Sequence, residues 1–278
     1  MHPIENKEKD ASGTMRLDGA ARAMIDSYLA LPLGAKPSCP YFNNRRRGVR
    51  SQLRVLKGKG APHEIAEEAE INALHMRLTI DALPADKLKE FLVKQDLGVD
   101  CSGFAYHVLD ALAREKTGKG LPAFVKSNRT GFVRSLLARL RPAENMGVAT
   151  FANDRNSKTI NASEARPGDI VVFLGTGKDG LYNHMVVITG IERIGSATVA
   201  GDERQTRIAY AHSYAWPSDG AYGHGVREGE ILFRGGGDGD DLLKGVWTEK
   251  GATGVDNYTY ESARTAKDVS ARRLNFIK

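Results

Sequence analysis

The chain has 278 residues, of which 41% are hydrophobic and 27% are charged, and its net charge is +6. These fractions are typical of a globular protein and are sufficient for a sizeable core, which excludes a wholly disordered chain. The chain contains two cysteines, Cys39 and Cys101, and no CxxC pair, so we expect neither a disulfide framework nor a zinc site.

The first 20 residues are polar, and we expect them to be disordered. They lack the apolar region of a signal peptide, and no apolar run in the chain reaches the roughly 20 residues that cross a bilayer. The sequence therefore predicts a soluble protein that is either cytoplasmic or exported by a route that the sequence does not show.

Residues 21–97 are predicted to form a mainly helical region. A first helix over residues 21–30 ends where prolines and a glycine interrupt the pattern. A second helix over residues 62–78 has a proline at its first position and glutamates in its first turn, and a third helix begins near Pro84.

A basic segment interrupts this helical region. Between Arg45 and Lys59 the chain has seven basic residues and no acidic one, as a surface for an anionic polymer or a nucleic acid can have. No aromatic residues alternate with these basic residues, so we expect no specific nucleic acid. Four glutamates follow the segment and can balance its charge: Glu64, Glu67, Glu68 and Glu70. We therefore favour a solvated basic segment and keep an anionic polymer as the alternative.

The second half of the chain is predicted to be a series of strands joined by short connections, after a short helix over residues 130–140. The strands cover residues 169–175, 184–194, 206–215 and 229–235, and a strand over residues 269–277 closes the series. Helices followed by consecutive strands predict an α+β fold in which an antiparallel sheet packs against the helices.

One glycine-rich segment in this half imitates a cofactor motif. Residues 175–180 read GTGKDG and follow a strand, as a dinucleotide site requires. Such a site also requires a helix immediately afterwards, whereas the sequence that follows is another strand. We therefore predict a hairpin here and expect no cofactor.

The segment from Asp100 to Gly103, DCSG, places a cysteine at a predicted helix start. Asp100 is a favourable N-cap, so Cys101 lies in the first turn, where free N–H groups and the helix dipole favour a thiolate. A nucleophilic cysteine needs such surroundings, with a pKa below its usual value of about 8.5. The alternative is a buried structural cysteine, which is the commoner state of a free cysteine.

Two histidines are candidate partners for this cysteine, because a catalytic thiolate needs a base and usually a third group that orients the base. His184 begins an apolar strand, and His212 lies on the next strand, so antiparallel pairing can bring them close. His107 points away from Cys101 on the helix, and His224 belongs to a glycine-rich loop. These positions predict a Cys101–His184–His212 triad.

Four segments in this order resemble the NlpC-type cysteine peptidases: VDCSGFAYHVL, ARPGDIVVFLG, NHMVVITGI and IAYAHSYA. Members of that family have a papain-like fold and cleave bacterial cell-wall peptides. The similar region covers residues 99–233, roughly half of the chain. The resemblance implies a catalytic domain over residues 98–278, with helices packed on a central antiparallel sheet and a helical extension or insertion before it.

The resemblance also implies a role for each matching residue. Cys101 is the expected nucleophile, His184 is the expected general base and acid, and His212 is expected to orient His184. Backbone N–H groups at the helix start, flanked by Asp100 and Ser102, are expected to support the oxyanion. The family's usual bond is the amide between D-glutamate and a diamino acid in the peptidoglycan stem.

This chain also departs from the family pattern. Family members usually carry a tyrosine shortly before the cysteine, and the nearest equivalent here is Tyr41. Tyr41 fills the same place if residues 45–95 are an insertion, and is otherwise a core tyrosine. The chain between His184 and His212 is longer than is usual, and the wall-binding repeats of most relatives are absent from this sequence.

Two other functions remain open at this point. An acyltransferase on the same fold is possible, because an amine or an alcohol can resolve a thioester instead of water. A non-catalytic module that binds an anionic polymer through the segment between Arg45 and Lys59 is the other, and salt would weaken its binding.

Overall fold

The computed structural model describes residues 13–44, 53–127, 140–194, 205–234 and 241–277. Its α-helices are α1 (Gly19–Leu29), α2 (Pro62–His75), α3 (Ala85–Lys94), α4 (Cys101–Thr117), α5 (Pro142–Asn145), α6 (Val148–Phe151) and α7 (Tyr258–Arg264). Its strands are β1 (Met15–Arg16), β2 (Ser157–Ile160), β3 (Ile170–Thr176), β4 (Tyr182–Ile194), β5 (Gln205–Tyr214), β6 (Gly225–Arg234), β7 (Val246–Glu249), β8 (Ala252–Thr253) and β9 (Asp268–Leu274).

The strands form one large antiparallel sheet in the order β2-β9-β3-β4-β5-β6-β7-β8. The short strand β1 pairs with β4 beyond the point where β3 begins, with Met15 opposite Ile191. The hairpin predicted at residues 175–180 joins β3 to β4, and the predicted C-terminal strand is β9. The fold is therefore mixed α/β with a large antiparallel sheet, as the order of helices and strands predicts.

Strand β4 lies at the centre of the sheet and is buried on both faces. Met185 and Val187 pack into a core shared with the helices, whereas Val186 and Ile188 pack into a second core that contains Trp247. Successive side chains of a strand point to opposite faces, so burial on both sides requires consecutive apolar residues. This explains the unbroken apolar run that follows His184.

Helix α4 is the central helix of the layer beneath the sheet. Phe104 and Val108 are fully buried on its inner face, and the ring of Phe104 lies 5.4 Å from that of Tyr28 in α1. The side chain of Asp100 accepts a hydrogen bond of 2.7 Å from the backbone N–H of Gly103, so it caps the helix as predicted. The cap fixes where the helix begins and therefore fixes the position of Cys101.

The prediction that residues 1–20 are disordered is wrong for residues 13–20. Strand β1 adds to the sheet, α1 begins at Gly19, and the N–H of the buried Leu17 donates a 2.7 Å bond to the carbonyl of Thr189. These backbone contacts order a segment for which the polar composition alone predicts disorder. Residues 1–12 and almost all of the helix predicted over residues 130–140 lie outside the described residues.

Residues from both predicted regions contribute to the core beneath the sheet. Ile25 of α1 and Leu92 of α3 belong to the same buried cluster as Phe104 of α4 and Val172 of β3. The helices that precede Cys101 therefore help to position it. None of the described helices has the length and apolar character to cross a membrane.

Candidate active site

Cys101 is the first residue of α4 and borders a polar cleft of about 700 Å³. Its backbone is held by Val99, whose N–H donates to the carbonyl of Pro40 at 3.0 Å. The hydroxyl of Ser213, next to His212 in β5, donates to the carbonyl of Val99 at 2.7 Å. Three segments that are distant in sequence therefore meet two residues before the cysteine.

The sulfur of Cys101 is in a largely buried position, with only 6% of the residue exposed. Burial and the neighbouring Asp100 carboxylate raise the pKa of Cys101 to about 12, against the opposing effects of Lys59 and the backbone N–H groups of Met185 and Ser102. The expected lowering of this pKa is therefore wrong for the free protein. The helix start does oppose the rise, but burial outweighs it.

His184 lies near the start of β4, is 2% exposed and faces Phe173 on the neighbouring strand. Its Nε2 is 2.7 Å from Nδ1 of His212, so the prediction that adjacent strands bring these two side chains together is confirmed. Burial, followed by the effect of His212, lowers the pKa of His184 well below its ordinary value. His184 is therefore a neutral imidazole at neutral pH and can accept a proton.

Glu249 of β7 extends this pair of histidines, and the sequence reasoning missed it. Its Oε2 lies 3.1 Å from Nε2 of His212 and accepts hydrogen bonds from the hydroxyls of Tyr210 at 2.8 Å and Thr259 at 2.9 Å. Although burial alone raises the pKa of Glu249, His212 and Arg227 bring it below its ordinary value. The buried carboxylate is thus ionised and accepts hydrogen bonds from several sides.

Two tyrosines border the histidines on the side of Cys101. The ring of Tyr214 stacks on that of His184, with the centroids 3.9 Å apart and the planes 22° apart, and Tyr41 meets Tyr214 edge-on at 6.5 Å. The backbone N–H of Tyr41 donates to Nδ1 of His224 at 3.1 Å. Tyr41 also bridges to Val99, so the structure brings it beside Cys101 although the two residues are 60 positions apart in the sequence.

The side chains of Cys101 and His184 form no direct hydrogen bond in the described part of the chain. Cys101 lies close to Met185, the residue that follows His184, and the backbone N–H of Met185 is one of the groups that lower the pKa of the thiol. The Nε2 of His184 is engaged by His212, which leaves Nδ1 as its other ring nitrogen. Catalytic hydrogen bonds are often loose in free enzymes and tighten when substrate binds.

Lys59 is part of the site and comes from the segment that the sequence marks as basic. Its Nζ donates to Oδ1 of Asp100 at 2.7 Å and also to the hydroxyl of Ser102. The side chains of Lys59 and Asp100 are 10% and 7% exposed, so the pair is largely buried. The carbonyl of Lys59 is hydrogen-bonded to Nε2 of His107, so the buried ring of His107 has a partner within the fold.

The described part of the basic segment is balanced by carboxylates. Arg54 pairs with Glu64 and Lys57 pairs with Glu144, at 2.5 and 2.6 Å, in addition to the pair made by Lys59. Glu64 is one of the four glutamates expected to balance the segment. These ion pairs favour the balanced interpretation over a polymer-binding surface, while residues 45–52 lie outside the described residues.

The rest of the cleft presents mainly polar groups around Cys101. Its wall includes Asn43, Asn44, Ser127, Asn145, Thr150 and Asn183. Amide and hydroxyl side chains both donate and accept hydrogen bonds, so such a wall suits a ligand that is rich in amide groups.

Asp169, the acidic residue of the PGD segment, has a structural place outside the cleft. Its carboxylate, which is fully buried, accepts two hydrogen bonds from the guanidinium of Arg273, at 2.9 and 2.7 Å, and one from the backbone N–H of Arg166. Since Arg273 belongs to β9, this two-pronged contact ties the start of β3 to its neighbour in the sheet.

No protein-family model, no curated protein and no solved structure matches this chain. The resemblance to NlpC-type peptidases therefore rests on the four sequence segments quoted above.

Proposed function

We propose that this protein is a cysteine peptidase or amidohydrolase of the NlpC type, with a papain-like fold. Its proposed substrate is a peptide with an amide or isopeptide bond, most readily the stem peptide of peptidoglycan. One arrangement carries the proposal: Cys101 begins α4 at the wall of the polar cleft and close to Met185, and the residue before Met185, His184, is hydrogen-bonded to His212.

The proposed first step forms a thioester. The thiol proton of Cys101 passes to His184 as the sulfur attacks the carbonyl carbon, and backbone N–H groups at the start of α4 stabilise the oxyanion. The C–N bond then breaks, and His184 returns the proton to the leaving amine. The raised pKa of Cys101 and the lowered pKa of His184 support a neutral thiol–imidazole pair as the starting state.

The proposed second step hydrolyses the thioester. Water gives a proton to His184 and attacks the same carbonyl carbon, after which the C–S bond breaks. The sulfur recovers its proton from His184, and the acid product leaves. His212 keeps the ring of His184 oriented in both steps and stabilises the imidazolium that forms in each.

Charge and polarity of the cleft support a peptide substrate over a highly charged polymer. The wall of the cleft contains two ion pairs, Lys57–Glu144 and Lys59–Asp100, and the opposite charges within each pair cancel. The other side chains of the wall are mainly amides and hydroxyls. We assign to Tyr41 and Ser102 the role of substrate contacts, because Tyr41 bridges to Val99, two residues before Cys101, and Ser102 lines the cleft.

Incubation with defined muropeptides and mass spectrometry of the products tests the proposal. Wild-type protein should release a free acid and a free amine. Cys101→Ala and His184→Ala should hydrolyse the substrate at least about 1,000-fold more slowly, while their thermal unfolding temperatures stay close to that of the wild-type protein. Cys39→Ala is the matched control, because Cys39 is buried away from the cleft and its variant should remain active. Full hydrolysis by Cys101→Ala would refute the mechanism.

The same products separate the two alternatives. An acyltransferase would yield the acyl group joined to an added amine or alcohol rather than a free acid. A polymer-binding module would yield no product and would bind an anionic wall polymer in a salt-sensitive manner that Cys101→Ala leaves intact.

A further inference from the structure

The deepest part of the site is a line of three buried polar side chains that ends at Glu249. The side chains of His212 and Glu249 have no exposed surface, and His184 is 2% exposed. Two ring-to-partner contacts join them: His184 Nε2 to His212 Nδ1 at 2.7 Å, and His212 Nε2 to Glu249 Oε2 at 3.1 Å. Each contact needs one donor and one acceptor, so the proton positions are linked along the line.

The carboxylate determines the direction of every hydrogen bond in this line. An ionised carboxylate can only accept, and Tyr210 and Thr259 already donate to Oε2. Nε2 of His212 must then carry a hydrogen and donate it to Glu249. A neutral imidazole has only one N–H, so Nδ1 of His212 accepts from Nε2–H of His184. The remaining ring nitrogen of His184, Nδ1, is left with its lone pair.

The charges around Glu249 match this neutral state of His212. Arg227 Nη1 lies 3.6 Å from Oε1 of Glu249, and the same guanidinium pairs with Asp219 at 2.5 Å. Lys250 pairs with Asp219 at 2.6 Å. Two carboxylates are therefore matched by two cations, and the cluster is already balanced when His212 carries no charge.

We propose that Glu249 is a positioning residue that sets the tautomers of His212 and His184, so that Nδ1 of His184 presents a lone pair for the proton of Cys101. The catalytic consequence rests on the proposed function of Cys101 and His184. The tautomer assignment itself rests on the buried contacts and on the charge balance around Glu249, and it does not depend on that function. An imidazolium at His212 would donate from both nitrogens and would leave Nδ1 of His184 carrying a hydrogen, the state that cannot accept the proton.

Replacing Glu249 with glutamine tests the assignment, because a glutamine amide can donate its N–H to Nε2 of His212. That donation reverses both tautomers and places a hydrogen on Nδ1 of His184. We expect NMR of ¹⁵N-histidine-labelled wild-type protein to show His184 and His212 protonated at Nε2, and Glu249→Gln to show both protonated at Nδ1. The variant should also hydrolyse substrate about 10³- to 10⁴-fold more slowly, as wrong-tautomer variants of catalytic triads do.

Two further variants sharpen this experiment. Thr259→Val removes a donor to the same carboxylate without touching a histidine, so it should keep the wild-type tautomers. Glu249→Asp keeps an acceptor-only group, and it should retain the Nε2–H tautomers and more activity than Glu249→Gln.

The wild-type spectrum alone can overturn the proposal, even if Glu249→Gln fails to fold. A hydrogen on Nδ1 of His184 in the wild-type protein contradicts it, and so do unchanged tautomers in a folded Glu249→Gln variant. Failure of the proposed function has a different signature: wild-type protein that hydrolyses no amide substrate, whatever the tautomers are.

Discussion

The two sides of the candidate site differ in their contact with water. On the side of the proposed base, which we call the base side, His184, His212 and Glu249 are essentially inaccessible and are packed between the sheet and α7. On the side of the proposed nucleophile, which we call the nucleophile side, Cys101 and Lys59 border an open polar cleft. A chain of fixed proton positions needs a dry and rigid setting, whereas a nucleophile must be reached by substrate. The sheet and the helix start satisfy these two needs separately.

Each side also contains a carboxylate near a cation, but the contacts differ. Lys59 bonds Asp100 directly at 2.7 Å, whereas the guanidinium of Arg227 stays 3.6 Å from Glu249. The longer distance leaves Glu249 available as the acceptor for His212. The direct bond offsets a negative charge beside Cys101, because Asp100 raises the pKa of that thiol and Lys59 lowers it. On the base side the carboxylate therefore orients His212, whereas on the nucleophile side the cation offsets the negative charge of Asp100.

The largest effect is expected when Lys59, the cation that offsets the charge of Asp100, is replaced. Lys59→Met leaves the Asp100 carboxylate largely buried without its cation, which should cost about 3–5 kcal/mol in the free energy of unfolding. The pKa of Cys101 should rise further, and its alkylation by iodoacetamide should slow at every pH below that pKa. Urea unfolding and alkylation rates measure the two effects.

Lys59→Arg is the matched control, because it keeps the positive charge near Asp100 and should retain most of the stability. If Lys59→Met unfolds at the same urea concentration as wild-type protein, the Asp100 carboxylate does not need a cation beside it. The different cation distances of Asp100 and Glu249 would then have no effect on stability.

A smaller effect is expected from acid on the helix that carries Cys101. Burial, and to a lesser extent Arg54, lower the pKa of His107 to about 4, although its bond to the Lys59 carbonyl, Glu64 and Asp110 oppose the shift. The unfolded chain takes up this proton near pH 6.5, so the stability that neutral His107 contributes is complete above pH 6.5 and is lost as the pH falls towards 4. The loss should reach about 3 kcal/mol.

His107→Gln separates this effect from those of other titrating groups. A glutamine N–H can replace the bond to the Lys59 carbonyl but does not titrate, so the unfolding free energy of the variant should fall less steeply between pH 6.5 and 4. Parallel pH profiles for wild-type protein and variant would show that His107 does not contribute.

Much of the fold and part of the site could be predicted from local sequence patterns. The N-cap preference of Asp100 and the helical spacing after it located the start of α4, and the apolar runs located β3, β4 and β5. The pairing of His184 with His212 followed from the order of two adjacent strands. These features depend on residues that are close in sequence or on consecutive elements.

The features that the sequence left unseen depend on contacts between distant segments. Lys59 lies 41 positions before Asp100, and in the sequence it is simply one charge of a basic segment. Glu249 follows Trp247 by two residues on β7, so both face the same side of the sheet. A glutamate two residues from a buried tryptophan on a strand is expected to face the same core, which could have indicated that Glu249 is buried. A glutamate near a strand end is nevertheless usually exposed to solvent. Only the sheet order places it against His212.

The smallest effect is expected on the base side, where several donors share one carboxylate. Thr259→Val removes the 2.9 Å hydrogen bond to Glu249 and the acceptor for Nε1–H of Trp216, while the valine keeps the shape of the side chain. Since Tyr210 and His212 still bond Glu249, we expect a loss of about 1–2 kcal/mol in unfolding free energy. Urea unfolding measures it, and Tyr260→Phe on the same helix provides a comparison. A loss as large as that of Lys59→Met would mean that the carboxylate on the base side depends on each of its donors as strongly as Asp100 depends on Lys59.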